Sequence, residues 1–295
     1  MTGTAAVPSP SASSSRSATP PTVALALGGG GARGLAHIHI IEAFDTLGLR
    51  PVAIAGSSIG AIMGAAMAAG LSGAEIRDHT LATVGRRAEV LNRIWSLRPA
   101  TLADAFGNGL RVGQFNLERI LRAFLPPGLP ERIEELEVPT KIVTSDFYAQ
   151  RECVCEDGDL FRALAASAAL PAVFMPVMIE GRVMIDGGLS NPVPFDHLRG
   201  LADIVVGVDV IGKPEGDETA MPNRIDSLFG ASQLTMHAIV EGKRAAGAPD
   251  IFLRPDVGRF RVLDFLRAKE ILAATAGVRD ALLRALEERL SRPGI

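Results

Sequence analysis

Apolar residues come in short blocks closed by glycine, and these blocks alternate with longer stretches of helical spacing. Val23 to Leu27 is a continuous apolar run ending at Gly28-Gly29-Gly30-Gly31, and Leu35 to Leu47 then repeats its apolar residues at helical intervals. Pro51 to Ala55 is a second short run, followed by Gly56-Ser57-Ser58-Ile59-Gly60 and an Ala- and Met-rich stretch to Ala69. Two successive strand-turn-helix units predict a parallel sheet with buried strands.

The pattern then loosens. Glu75 to Glu135 is more polar, broken at Pro99, Gly107, Gly109 and Pro126-Pro127, and reads as helices and loops covering one face or edge of the sheet. Lys141 to Ser145 and Glu152 to Cys155 read as paired strands, with a Glu156-Asp157-Gly158 turn after them. Leu160 to Ala169 is a short Ala-rich helix stopped before Pro171. Val177 to Ile179 and Val183 to Ile185 flank Glu180-Gly181-Arg182 as a hairpin. Asp203 to Val210 is another buried strand, and Ile225 to Ala246 and Phe265 to Leu290 are closing helices. The expected fold is one α/β domain, residues 22–295: a three-layer sandwich with a central, mostly parallel sheet flanked by helices. Residues 1–21, mostly Ser, Ala, Pro and Thr, cannot bury enough apolar surface to offset their chain entropy and read as a disordered tail.

Composition narrows the function. The 295 residues carry 30 basic and 33 acidic side chains, a net charge of −3, which leaves no basic excess for neutralising phosphates and argues against a nucleic-acid partner. The two cysteines, Cys153 and Cys155, form neither a disulfide framework nor a zinc site. They fit a reducing compartment, so the expected location is cytoplasmic, with or without peripheral attachment to a membrane. The longest uncharged run, Pro51 to Ala74, is interrupted by glycines, and its continuous apolar part, Ile59 to Leu71, is too short to span a bilayer. Met63 and Met67 share a helix face and read as core filling, and Arg86-Arg87 as a solvated pair or a contact for anionic headgroups.

Three glycine-marked loops carry candidate chemistry. Gly56-Ser57-Ser58-Ile59-Gly60 is a G-x-S-x-G sequence at a strand-to-helix junction. Its glycines permit the sharp turn that projects the Ser58 hydroxyl from the sheet, beside the N-terminal amides of the next helix. Gly28 to Gly34 exposes backbone amides that can hold an anion. It also matches the dinucleotide fingerprint, but no carboxylate ends the second strand where a ribose ligand belongs, so an oxyanion hole is the preferred reading. Asp186-Gly187-Gly188 follows a strand and precedes Asn191-Pro192 and Pro194, which stiffen the loop around the aspartate. A histidine-dependent esterase using His197 or His237, and a non-catalytic acyl-lipid binder, stay open as alternatives at this level. No histidine stands at a glycine-marked strand end, where a catalytic base is normally presented.

Taken together, these loops resemble the patatin-like phospholipases. The block Ala166 to Pro171 with Phe174 and Pro176, the segment Asp186 to Pro194 and the strand Ala202 to Asp209 extend the likeness. Val257 to Phe260 and Leu263 to Phe265 are similar to the tail of bacterial members related to the neuropathy-target-esterase branch. The resemblance covers about Val23 to Leu290. It implies a Ser58–Asp186 dyad, an oxyanion hole from Gly29, Gly30 and Gly31 with Arg33 in support, and structural roles for Gly34, Gly56, Gly60, Gly187 and Gly188. It also implies a lipid ester as substrate, without a metal or other cofactor. Trp95, Leu97, Leu102 and Phe106 are candidates for an acyl-chain entry.

Overall fold

The computed structural model describes residues 20–84, 117–171, 173–214, 219 and 221–291. The expected tail, Arg86-Arg87 and the acyl-entry candidates around Trp95 lie outside these residues. The elements in chain order are β1 Val23–Leu27, a 3-10 turn Gly31–Ala36, α1 His37–Leu47, β2 Ala53–Ser57, α2 Ile59–Ala68 and α3 Gly73–Val84. Then come α4 Leu117–Phe124, β3 Thr140–Asp146, β4 Arg151–Cys155, α5 Leu160–Ser167, β5 Val177–Ile179 and β6 Arg182–Asp186. The chain closes with β7 Ile204–Val208, α6 Arg224–Ala246, β8 Ile251–Leu253, α7 Ala268–Thr275 and α8 Gly277–Leu290.

One sheet runs in the order β5-β6-β3-β2-β1-β7-β8, with β4 also paired to β3. Pairs β1–β2, β1–β7, β2–β3 and β7–β8 are parallel, whereas β3–β4, β3–β6 and β5–β6 are antiparallel. The two faces of β1 and β2 differ in size. Leu25, Leu27 and Ile54 pack with α1 and α2 residues such as Ile40, Phe44 and Ile62. On the other face Ala24, Ala26, Ala53 and Ala55 pack against Val193, Phe195, Leu198 and Val240. These alanines let the loop after Asp186 lie close to the sheet, and the result is the expected three layers.

The strand expected at Pro51 to Ala55 runs two residues later, Ala53–Ser57, and Val52 N–H donates to the Val23 carbonyl at the point where β2 joins β1. β8, three residues long, gave too little pattern to be read from sequence. The stretch from Phe265 to Leu290 is divided into a 3-10 turn, α7 and α8.

Register on β3 is the feature that builds the site. β4 covers one edge of β3 from Ile142 to Asp146, so β2 and β6 must share the other edge. β2 occupies it up to Val143, which pairs with Ser57, and β6 takes over at Thr144, which pairs with Asp186. The carboxyl ends of two strands running in opposite directions therefore meet there.

Candidate active site

Ser58 stands between β2 and α2 with φ 54° and ψ −125°, a left-handed conformation that costs a non-glycine residue of order 1–3 kcal/mol and persists only where the surroundings enforce it. The enforcement is visible. A Cβ on Gly60 would lie 2.1 Å from the Leu27 carbonyl oxygen, so only glycine lets α2 start against the end of β1. Ser58 N–H donates to Ser167 Oγ at 2.8 Å, and that hydroxyl donates to the Val143 carbonyl at 2.6 Å. The neighbouring Ser57 hydroxyl donates to the Asn191 carbonyl at 2.5 Å.

Ser58 Oγ donates to Asp186 Oδ2 at 2.8 Å, and the other carboxylate oxygen accepts Gly188 N–H at 2.7 Å. Both side chains are buried. Burial pushes the Asp186 carboxyl up to about 6, against the opposing pull of the hydrogen bonds from Ser58 and Gly188. Gly187 passes so close to β3 that a Cβ would lie 2.0 Å from the Val143 carbonyl oxygen, which locks the aspartate loop in place.

The glycine loop after β1 runs beside Ser58: a Cβ on Gly29 would lie 3.3 Å from Ser58 Cβ. Its glycines divide the work differently from the expectation. Gly29 N–H donates to the Pro192 carbonyl at 2.9 Å, so its amide is already used in joining this loop to the aspartate loop. The amides of Gly30 and Gly31 have no hydrogen-bond partner among the described residues, and both residues line the cleft with Ser58. Arg33 is buried; its Nε donates to the Phe260 carbonyl at 2.7 Å and its Nη1 to the Ile211 carbonyl. Burial lowers its guanidinium to about 10, with Asp264 acting in the opposite sense, so it stays charged at neutral pH. Arg33 thus braces two loops around the site and lends it positive charge. Gly34 packs under Ile59, and Gly56 abuts the first turn of α2.

A cavity of about 450 Å³ opens over this group. Its walls are overwhelmingly apolar: Ile62 and Met63 of α2, Leu121 and Phe124 of α4, and Phe229 and Met236 of α6 are representative. Met63 therefore faces the cleft as well as the core. Neither His197 nor His237 lines it; His197 Nε2 lies 2.7 Å from Glu152, and His237 Nε2 donates to the Gly212 carbonyl oxygen at 2.8 Å. His79 does line the cleft, with Nε2 2.8 Å from the Phe124 carbonyl oxygen. His37 is buried beneath the glycine loop, its Nε2 2.8 Å from the Gly28 oxygen, and burial lowers it to about 4, so it is neutral.

Glu152, Asp196 and His197 are the one described group with metal-ligand spacing, within 4.8 Å of one another. The Lys243 ammonium, 2.6 Å from Asp196 and 3.5 Å from Glu152, already supplies the positive charge there. Cys153 and Cys155 are unpaired, and burial raises the Cys155 thiol to about 11. Sequence reasoning missed Ser167 and Ser57. The signal for Ser167 was a lone hydroxyl in an alanine run, Ala165 to Ala169; Ser57 gave none, because its neighbour carried the motif.

The patatin family profile, described as patatin-like phospholipase, matches residues 25–199. An uncharacterized NTE family protein of Mycobacterium tuberculosis is 35% identical over 196 residues, 65% of this chain and 50% of that protein. Patatin-like phospholipase domain-containing protein 7 of Rattus norvegicus is 32% identical over 204 residues, 68% of this chain and 14% of that protein. The chain thus spans half or less of the length of these relatives. Among solved structures, VipD from Legionella pneumophila aligns with 89% of this chain and 67% of its own, at 14% identity and a TM-score of 0.45. With a profile match across more than half its length, one that takes in the glycine, serine and aspartate loops together, the chain belongs to the patatin-like phospholipase family.

Proposed function

We propose that the protein is a serine lipid acyl hydrolase that cleaves carboxylic esters of phospholipids or lysophospholipids through a Ser58–Asp186 dyad and an acyl-enzyme. Hydrolysis of lipid esters is the activity of its family. The observation that carries the finer reading is the 2.8 Å hydrogen bond from Ser58 Oγ to Asp186 Oδ2 at the base of an apolar cleft. In this reading residues 22–295 form the catalytic domain.

An ordinary carboxylate, with a pKa of about 4, is a feeble base toward a hydroxyl. Three features reduce the deficit. Burial makes Asp186 a stronger base while leaving it mostly ionised at pH 7. Proton transfer coincides with attack, so no free alkoxide forms. The unpartnered Gly30 and Gly31 amides, with the N-terminus of α2, face the charge that develops; one such donor contributes about 3 kcal/mol.

The cycle balances as follows. The Ser58 proton passes to Asp186 Oδ2 as Ser58 Oγ bonds to the ester carbonyl carbon. Collapse of the tetrahedral intermediate breaks the bond to the alcohol oxygen, which leaves with the proton from Asp186. The dyad then deprotonates water, which attacks the acyl-enzyme, and the proton returns to Ser58 as the fatty acid departs.

The test is hydrolysis of a panel of phospholipids and lysophospholipids by wild type, Ser58→Ala and Asp186→Asn. Each substitution is expected to lower kcat at least about 10³-fold. For the wild type, kcat/KM should fall tenfold per pH unit below about 6, as Asp186 becomes protonated. Near-normal turnover in either variant overturns the dyad. Failure of a fluorophosphonate to label Ser58 would favour an acyl-lipid binder instead.

A further inference from the structure

We propose that the outer face of α6, together with the exposed part of the loop after β8, is the surface on which the protein docks to a lipid bilayer. The inference rests on the lipid-hydrolase reading of the cleft and adds the route by which substrate reaches it.

α6 has two apolar faces. Phe229, Gln233 and Met236 line the catalytic cleft. On the solvent-exposed sides of the helix Leu228 and Leu234 are 50% and 73% exposed, and Met221 just before the helix is 93% exposed. From Ser227 to Val240 the helix contains no charged residue. A surface helix ordinarily carries its charges on the outer face, so several solvent-facing turns without one, bearing leucines, form an anomalous patch. The patch continues across the cleft. Leu263 lines the cleft and is also 49% exposed, and Leu266 beside it is 43% exposed, so the acyl-binding wall runs out onto the surface. Arg261 Nη2, 3.6 Å from Asp226 Oδ2, ties the loop to the start of α6.

The charge around the patch has the sign a membrane requires. Among the described residues of α6 up to Val240 and the segment Val257 to Glu270, Arg224, Arg259, Arg261, Arg267 and Lys269 stand against Asp226, Asp264 and Glu270, the last paired with Arg267, in a chain of net charge −3. Leucines that enter the acyl boundary, with arginines extending to headgroup level, are the arrangement of an interfacial helix. A protein partner or a second copy seated on the same residues would cover Leu263, which also lines the cleft, and obstruct the approach of substrate along that wall. A bilayer in that position delivers the substrate. No helix among the described residues is long and apolar enough to cross a membrane, so attachment through this face would be peripheral.

The experiment uses the full chain carrying Ser58→Ala, which cannot consume the lipid, and vesicles of phosphatidylcholine with phosphatidylglycerol. In flotation, Ser58→Ala should bind, and adding Leu228→Glu and Leu234→Glu should weaken partitioning at least tenfold. In the active background, the same two substitutions should lower hydrolysis of vesicle lipid at least tenfold while leaving hydrolysis of a soluble short-chain p-nitrophenyl ester within twofold of wild type. The soluble ester also reports that the variant is folded. Equal vesicle binding with and without the glutamates overturns the docking surface, as does a dimer in sedimentation that the glutamates dissociate. If binding responds to the glutamates but neither ester is cleaved by the active background, docking stands and the hydrolase reading fails.

Discussion

The parallel and antiparallel parts of the sheet contribute to one site in opposite ways. β1, β2 and β7 are buried along their whole length, and the loops leaving β1 and β2 provide the glycine amides and Ser58. That placement follows the general rule for α/β sheets, in which ligands sit at the carboxyl ends of parallel strands. β4, β5 and β6 are partly exposed and shorter-range in their pairing, yet β6 supplies Asp186. The parallel part holds a strained residue by close packing. The antiparallel part supplies a carboxylate whose chemistry comes from burial. Tight packing and unfavourable ionisation are therefore found on opposite sides of one hydrogen bond.

The packing side is the more fragile. Gly60→Ala would drive a Cβ to 2.1 Å from the Leu27 oxygen and 2.7 Å from the Gly28 oxygen, both backbone atoms with no freedom to move aside. A loss of about 4 kcal/mol or more is expected, seen as insoluble protein or a large fall in Tm. The matching change on the antiparallel side is Gly181→Ala in the β5–β6 hairpin. There φ is 76° and nothing lies within 4 Å of the added Cβ, so only the left-handed backbone is strained, for about 1 kcal/mol. Comparable losses in the two variants would show that close packing is not what holds Ser58.

These differences also governed what could be read from the chain. Continuous apolar runs ending in glycine announce buried parallel strands and their loops, so Val23 to Leu27, Gly28 to Gly34 and the Ser58 turn were visible without coordinates. Asp186 was visible through its two glycines. What was not visible is why the two loops meet, since this depends on β2 and β6 sharing one edge of β3, and register between distant strands leaves no local mark. The hydrogen bond from the Gly29 amide to Pro192, more than 160 positions away, left no local mark for a similar reason. The cleft wall from α4 was hidden too, because Leu117 and Leu121 carry the pattern of any helix packed on a core.

The ionisation side makes a prediction of opposite sign. Asp186 titrates near 6 when folded, against an ordinary 3.8, so the folded chain holds this proton more tightly than the unfolded chain. The contribution of Asp186 to stability is therefore fully present below about pH 4 and is lost as pH rises through 6. At pH 8 the deficit amounts to about 3 kcal/mol. Asn cannot ionise, and its carbonyl oxygen can still accept Gly188 N–H. Asp186→Asn should thus melt above wild type at pH 8, by an amount that shrinks toward zero at pH 4, while being inactive throughout. A Tm difference independent of pH would remove burial as the source of the base.

A smaller loss than that of Gly60→Ala is expected where the two parts join. Ser167 accepts Ser58 N–H and donates to the Val143 carbonyl, so one hydroxyl on α5 links the Ser58 turn to the last β3 residue paired with β2. Ser167→Ala keeps the helix and the volume but leaves a buried amide without its acceptor, at a cost of about 2 kcal/mol. If this bond also aims the strained Ser58 turn, kcat should fall about tenfold with KM nearly unchanged, because the misdirected group acts only as the transition state forms. A lower Tm with kcat intact would mean that Ser167 supports the fold alone and that the glycine contacts of α2 suffice to position the nucleophile.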